Sequence, residues 1–388
     1  MKRARVTAAC CLLAALGLSA SACRHEASVG PGGDASNDSR DGGDGDSTRD
    51  QGPPPMLETV TSGEHKLADG NPKTISIEGW TPADLVHSFV LCSYRTADEQ
   101  PSGVPACRLT KAGLVIGTGP GTGDLSTVVR WTVVRDVSFD VRRGEVTLAN
   151  GIGESEAIKG KFAADRSFIL VDATTKETSQ IADEGRLIRP VVTGADFVLT
   201  RLSAQNDATA YWQVVQLAND GRVVAGTTSI ATDSNTAVDT FPQVTLERSF
   251  VLFSVTGPTN IGGFEQRYSV QATLSAGSVE FKRGVAEGPL DITYFVVELA
   301  AGNQVKHLPP ELSLGQSREI FVSPAVDPDL SFVVHSLQSN TLGRTAARVD
   351  TAYTAALSKA GDRVELKRIG GGNAVSTVST SVIRLASP

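Results

Sequence analysis

Apolar residues in this chain recur mostly with period two, in short runs broken by Gly, Asn, Ser and Pro. "VRWTVVR" (129–135), "YWQVVQL" (211–217) and "TYFVVEL" (293–299) are one phrase written three times. Runs rich in Val, Phe, Thr and Tyr between turn residues predict β-strands. No sustained 3.6-residue period of helix length interrupts them. In "SFVLFSV" (249–255), Phe250, Leu252 and Ser254 share one face, and Ser249, Val251, Phe253 and Val255 share the other. Both faces are largely apolar, whereas a half-exposed antiparallel strand alternates apolar with polar. "FVVEL" (295–299) has the same surplus. The pattern predicts strands covered on both sides, the second side packing on a neighbouring repeat or on another chain.

The repetition is periodic. "SFVLCS", "SFILVD", "SFVLFS" and "SFVVHS" begin at Ser88, Ser167, Ser249 and Ser331. A V-x-x-G marker begins at Val60, Val141 and Val223, with a degenerate fourth copy, "VKHL", at Val305. An aromatic marker falls at Trp131, Trp212 and Tyr294, and Thr380 takes that register in the last copy. Three markers with one spacing of roughly 80 residues define tandem structural units. The units are 57–137, 138–219, 220–301 and 302–388. Each reads as about six strands: a short one after V-x-x-G, another before "SFVL", the "SFVL" strand, one like "RYSVQATL" (267–274), one like "SVEFKRG" (278–284), and the aromatic strand that closes. The fold class is therefore all-β, four tandem small antiparallel β-sandwiches.

The N-terminal segment is of another kind. Lys2, Arg3 and Arg5 precede an apolar run from Val6 to about Leu18, the layout of a secretory signal peptide over 1–22. "LSASAC", ending at Cys23, resembles the bacterial lipobox, with Ala20 where that pattern usually has Leu. The resemblance implies lipidation of Cys23 and a firm membrane anchor. An ordinary cut near Ala22 is the alternative. Arg24 is not the aspartate of the inner-membrane retention rule, which points the anchor to the outer membrane of a cell envelope. From 23 to 56 the chain is rich in Asp, Gly and Pro, and Val29 is the one large aliphatic residue of Arg24–Pro55. A disordered stalk is expected. "DGGDGD" (41–46) lacks the register and the twelfth-position glutamate of an EF-hand loop.

The formal charge of −7 becomes −10 once Lys2, Arg3 and Arg5 are removed, which disfavours sequence-independent nucleic-acid binding. Cys10 and Cys11 leave with the signal. With Cys23 taken by lipid, Cys92 and Cys107 remain as a pair in an oxidising compartment, where a disulfide is expected. Two buried thiols are the alternative.

The "SFV" strand, an Arg-containing strand, "VEFKRG" (279–284) and the closing aromatic strand together resemble the H-type lectin family, over about 57–388. The resemblance implies small six-stranded sandwiches, often trimeric, that bind N-acetylgalactosamine and related sugars. Four linked units depart from the one-domain trimer, and the matching motifs carry fold more than sugar site.

No nucleophile elbow, H-E-x-x-H or phosphate loop is present, so neither catalysis nor a cofactor or metal is expected. The histidines (His25, His65, His87, His307, His335) are scattered. "GTGPGTGD" (117–124) reads as a long hairpin turn. The ligand candidates are a recurring arginine, Arg201, Arg283 and Arg368, 11, 11 and 12 residues before the aromatic register, with Trp212 and Tyr294 at that register. Arginine offers a donor fork to hydroxyls or a carboxylate, and an aromatic can stack on a sugar face. A structural arginine paired with an acid such as Glu280 or Glu365, and aromatics in the core, is the competing reading. The functional expectation is a surface-anchored protein binding glycans or another surface ligand. The alternative is an assembly lipoprotein whose repeat faces associate with themselves or with an envelope protein.

Overall fold

A computed structural model describes residues 59–386 except 68–70, 97–103, 120–126, 161, 176–186, 203, 205, 218–219, 258–267, 314–316, 340–351 and 370–375. The signal segment, Cys23, the Asp/Gly-rich stretch and most of "GTGPGTGD" lie outside the described residues.

The described residues hold β-strands and short 3₁₀ turns. The first six strands are β1 (Thr59–Leu67), β2 (Lys73–Ile75), β3 (Ser88–Thr96), β4 (Ala106–Thr110), β5 (Gly113–Gly117) and β6 (Thr127–Arg135). The second set is β7 (Phe139–Leu148), β8 (Ile158–Lys159), β9 (Ser167–Thr175), β10 (Arg189–Thr193), β11 (Asp196–Thr200) and β12 (Ala208–Leu217). The third is β13 (Arg222–Ile230), β14 (Thr236–Thr240), β15 (Ser249–Thr256), β16 (Val270–Ser275), β17 (Ser278–Arg283) and β18 (Leu290–Glu298). The fourth is β19 (Gln304–Ser313), β20 (Ser317–Phe321), β21 (Ser331–Ser339), β22 (Thr354–Leu357), β23 (Arg363–Lys367) and β24 (Ser376–Arg384).

Every set builds the same two antiparallel three-stranded sheets. The inner sheet has the aromatic strand between the first and the "SFVL" strands, in the orders β1-β6-β3, β7-β12-β9, β13-β18-β15 and β19-β24-β21. The outer sheet centres on the fifth strand: β2-β5-β4, β10-β11-β8, β14-β17-β16 and β20-β23-β22. V-x-x-G does not precede the first strand, as the repeat pattern suggests. It lies inside that strand, with Val60 and Gly63 both paired to β6. Before three of the "SFVL" strands stands a 3₁₀ turn, Pro82–His87, Leu246–Arg248 or Pro328–Leu330.

The two-faced strands are explained within one chain. Val90, Val129, Trp131 and Val133 face their own outer sheet, against Leu109, Leu114 and Ile116. Tyr294 and Val296 do the same in the third set, against Phe281, and Val382 in the fourth, against Val364 and Leu366. The opposite faces of all four inner sheets contribute to one shared core, to which Phe89, Phe168, Phe250 and Phe332 belong. Their cross-strand partners Val134, Val215, Val297 and Ile383 lie there too. Phe89 meets Phe168 at 5.7 Å and Phe332 at 6.1 Å between ring centroids, and Phe250 meets Phe332 at 6.0 Å, all edge-on. That is the geometry aromatic quadrupoles prefer.

The same docking contact recurs four times. The fourth strand of each set lies against the inner sheet of the next: β4 on β9 and β12, β10 on β15 and β18, β16 on β21 and β24, and β22 on β3 and β6. The last contact returns to the first set, so these heterologous contacts close a ring. Each seam carries polar ties. The Cys107 N–H donates to Asp172 Oδ2 at 3.3 Å, and its equivalent Ala272 N–H donates to Ser336 Oγ at 2.9 Å. Arg189 reaches Thr293, and Arg95 reaches Thr354.

Candidate functional site

The recurring arginines have a structural place in the fold. Arg283 is fully buried. Its Nε donates to the Ser234 carbonyl at 3.0 Å, Nη1 to Gly288 at 2.7 Å and Nη2 to Ala231 at 2.9 Å. Arg201, 3% exposed, repeats the pattern, with Nε to Ile152 at 3.0 Å, Nη1 to Asn206 at 2.5 Å and Nη2 to Ala149 at 2.7 Å. Each guanidinium ties the loop after its unit's first strand to the loop before its last. Arg368 is equally buried and stacks over Tyr353 at 5.7 Å. Backbone carbonyls and a ring hold these cations, and Glu365 pairs with Lys367 at 2.7 Å. A solvent-borne sugar has no route to these donors.

The aromatic candidates also point inward. Trp212 meets Phe197 edge-on at 5.5 Å inside its own sandwich. Tyr294 is 2% exposed and donates its hydroxyl to Asp239 at 2.8 Å. Burial, reinforced by Asp239, holds the Tyr294 phenol well above its usual range. The five candidates are spread over three units and form no common site. Cys92 and Cys107 are joined, linking β3 of the inner sheet to β4, the strand that docks on the second unit.

Among the described residues, three concave surfaces lie at seams. Between the first and second units a cavity of about 190 Å³ is lined by Arg108 and Thr110 of β4, Arg143 and Glu145 of β7, and Tyr211 and Gln213 of β12, among others. Period two explains why these residues meet. Trp212 faces its own sandwich, so Tyr211 and Gln213 on either side of it face the first unit. Register pairing sets Tyr211 opposite Glu145 and Gln213 opposite Arg143, placing all four on one face of the sheet.

Each of these side chains but one is locally satisfied. Gln213 acts as a false strand, accepting from the Val90 N–H and donating to the Val90 carbonyl, both at 3.0 Å. Arg108 bonds Glu145 Oε2 at 2.7 Å, and its guanidinium lies 5.1 Å from the Tyr211 ring centroid. Arg143 donates Nη2 to the Ser88 carbonyl at 2.6 Å, while its Nε is buried with no hydrogen-bond partner. Desolvation lowers Arg143 to about 10, which leaves it charged at neutral pH.

The equivalent seam between the fourth and first units opens into a cleft of about 960 Å³, lined by Ser62, Arg130, Asp329, Lys359 and Arg363 among others. Charges at that cleft are partly spent internally, on Arg363 with Glu319 at 3.6 Å and on Lys367 with Glu365. A third cavity, about 160 Å³, sits deeper at the same seam against Leu91, Leu252, Val334 and His335.

Sequence reasoning missed Arg108, Arg143, Glu145, Tyr211 and Gln213. The available signal was the ring of Tyr211 and the amide of Gln213 at positions where the other units have Arg130 and Thr132, Thr293 and Phe295, and Ser379 and Ser381. No protein-family model matches the chain, and no curated protein matches it. The seam is therefore read from its own chemistry.

Proposed function

We propose that this is a glycan-binding lipoprotein of the cell envelope, anchored through Cys23, held off the outer membrane by the Asp/Gly/Pro-rich stalk, and binding at the seam between its first two units. The cavity beside Tyr211 carries the reading: an aromatic ring, an arginine–glutamate pair and a further arginine line one concave surface. Sugar sites combine an apolar wall with a few converging polar groups in this way. The likeness to six-stranded sugar-binding sandwiches supports it. The role is binding rather than catalysis, one site per chain.

The assembly reading draws its strength from the apolar second faces of the strands. Those faces pack on each other within the chain, which removes the observation that had favoured it.

A glycan array probed with the compact unit from Pro55 onward, with and without calcium, tests the proposal. Selective binding that Tyr211→Ala removes is the expected result. A blank array from folded protein would contradict it and direct the search to an envelope protein partner.

A further inference from the structure

The ligand class can be narrowed, on the premise that the seam cavity binds a saccharide. The side chains around it do not balance in charge. Arg108 and Glu145 cancel each other at 2.7 Å. Arg143 is left over: among the described residues it forms no ion pair, and one carbonyl, that of Ser88, is its hydrogen-bond partner. A desolvated guanidinium without a counter-charge is costly, and Arg143 has one carbonyl to offset that cost where Arg201 and Arg283 each have several.

The repeat shows that the fold does not need this cation. Counting from V-x-x-G, the position of Arg143 is Ser62 in the first unit, Ala225 in the third and His307 in the fourth. Three of the four inner sheets form without an arginine there. The position of Arg108 is also unshared: Ala356 and Thr273 occupy it in the fourth and third units by strand register. Among the described residues, cation, ring and clamp thus coincide at the seam with the Tyr211 cavity.

We infer that the saccharide recognised here is acidic, and that Arg143 receives its carboxylate while the Tyr211 ring, braced by Arg108, covers the adjoining sugar face. One uncompensated cation calls for one negative charge, which a sugar carboxylate supplies and a phosphate dianion exceeds. The planar fork of a guanidinium matches the two carboxylate oxygens. The donors for it are the Nη hydrogens that Ser88 does not take, since Nε is sealed from the cavity.

Calorimetric titration of the intact protein with methyl glucuronoside, methyl glucoside and a glucose 6-sulfate glycoside tests this. The glucuronoside is expected to bind about tenfold or more tighter than the neutral glucoside. That preference should shrink in high salt and vanish in Arg143→Met. The wild-type comparison stands whether or not that variant folds. Equal binding of acid and neutral sugars, lost in Tyr211→Ala, would overturn the acidic assignment and leave the glycan reading intact. Tighter binding of the sulfate would replace carboxylate by sulfate and overturn it as stated. No binding of any of the three, alongside a blank array, would overturn both.

Discussion

Gly144 lies directly under the indole of Trp212. The two are cross-strand partners, and a Cβ on Gly144 would fall 2.7 Å from Trp212 Cε2 and nearer still to Cζ2. The same relation joins Gly63 to Trp131, at 2.7 Å from Cε2, and Gly226 to Tyr294, at 2.6 Å from Cε1. In the fourth unit Leu308 pairs with Thr380 instead. Where the aromatic is lost, the glycine is lost with it. Two of the repeat's markers are thus two halves of one packing unit: the first strand surrenders a side chain so that the ring can lie flat across it.

Gly144→Ala is therefore expected to destabilise the protein by about 1–3 kcal/mol through overpacking. Trp212→Ala alone should cost about 3–5 kcal/mol. The double variant should cost less than the sum, because the methyl added at position 144 then has room. Chemical denaturation of the four proteins checks this as a double-mutant cycle; strict additivity would show that the glycine has another purpose.

Arg283→Lys should be nearly as damaging as Arg283→Met, at about 3 kcal/mol or more, since a lysine cannot bridge carbonyls on two loops and the orphaned acceptors stay buried. Melting temperatures check it. Seam binding should be unchanged in whatever fraction remains folded, in contrast to Tyr211→Ala.

Two buried titratable groups pull stability in opposite directions with pH. Burial raises Asp172 to about 6, against the hydrogen bond from Cys107 that favours its carboxylate. As pH falls below 6 the folded protein takes up this proton before the unfolded chain does, and stability rises. Burial lowers His335 to about 4. Between about 6.5 and 4 the unfolded chain is protonated there and the folded protein is not, so stability falls with pH. The two effects offset each other between about pH 4 and 6. Asp172→Asn should expose the histidine slope, a loss of up to about 2–3 kcal/mol from pH 6 to 4, and His335→Gln should expose the opposite slope. Urea midpoints across that range decide the matter. Parallel profiles for the two variants would contradict the assignment.

Reduction of Cys92–Cys107 removes a link across 15 residues between the two sheets of the first unit. A loss of about 3 kcal/mol is expected, felt most at the seam, because Cys107 also donates to Asp172. Thermal unfolding with and without reductant measures it.

The fold was largely legible. Strand runs, repeat markers and the surplus of apolar residues on both strand faces all reflect local rules of period and propensity. The surplus also announced a second buried face, and what covers it, the chain's own neighbouring units, follows from packing rather than pattern. The arginines stood open between a ligand role and a structural one, and a physical argument favours the second. A residue that recurs at one register in several repeats is serving something those repeats share, and Arg201, Arg283 and Arg368 serve the loops of the fold. The seam site was illegible because β4 of one unit and β7 and β12 of the next build it, and only the docking of the two brings Arg108 to Tyr211. Its mark in the sequence is the opposite of recurrence: Arg143 stands where the other units have Ser62, Ala225 and His307.

The central claim is that four units share one core inside a single closed ring. Phe89 touches two rings of the second unit, Phe139 at 5.4 Å and Phe168, and Phe332 of the fourth. Native-state hydrogen exchange tests the claim most directly, followed on β6, β12, β18 and β24 in the wild type and in Phe89→Ala. The account predicts that the four central strands exchange with one shared opening free energy, and that Phe89→Ala lowers it in all four together, by about 3–5 kcal/mol. A loss of protection confined to β6, with the other three strands unchanged, would show four independent sandwiches on a string and contradict it.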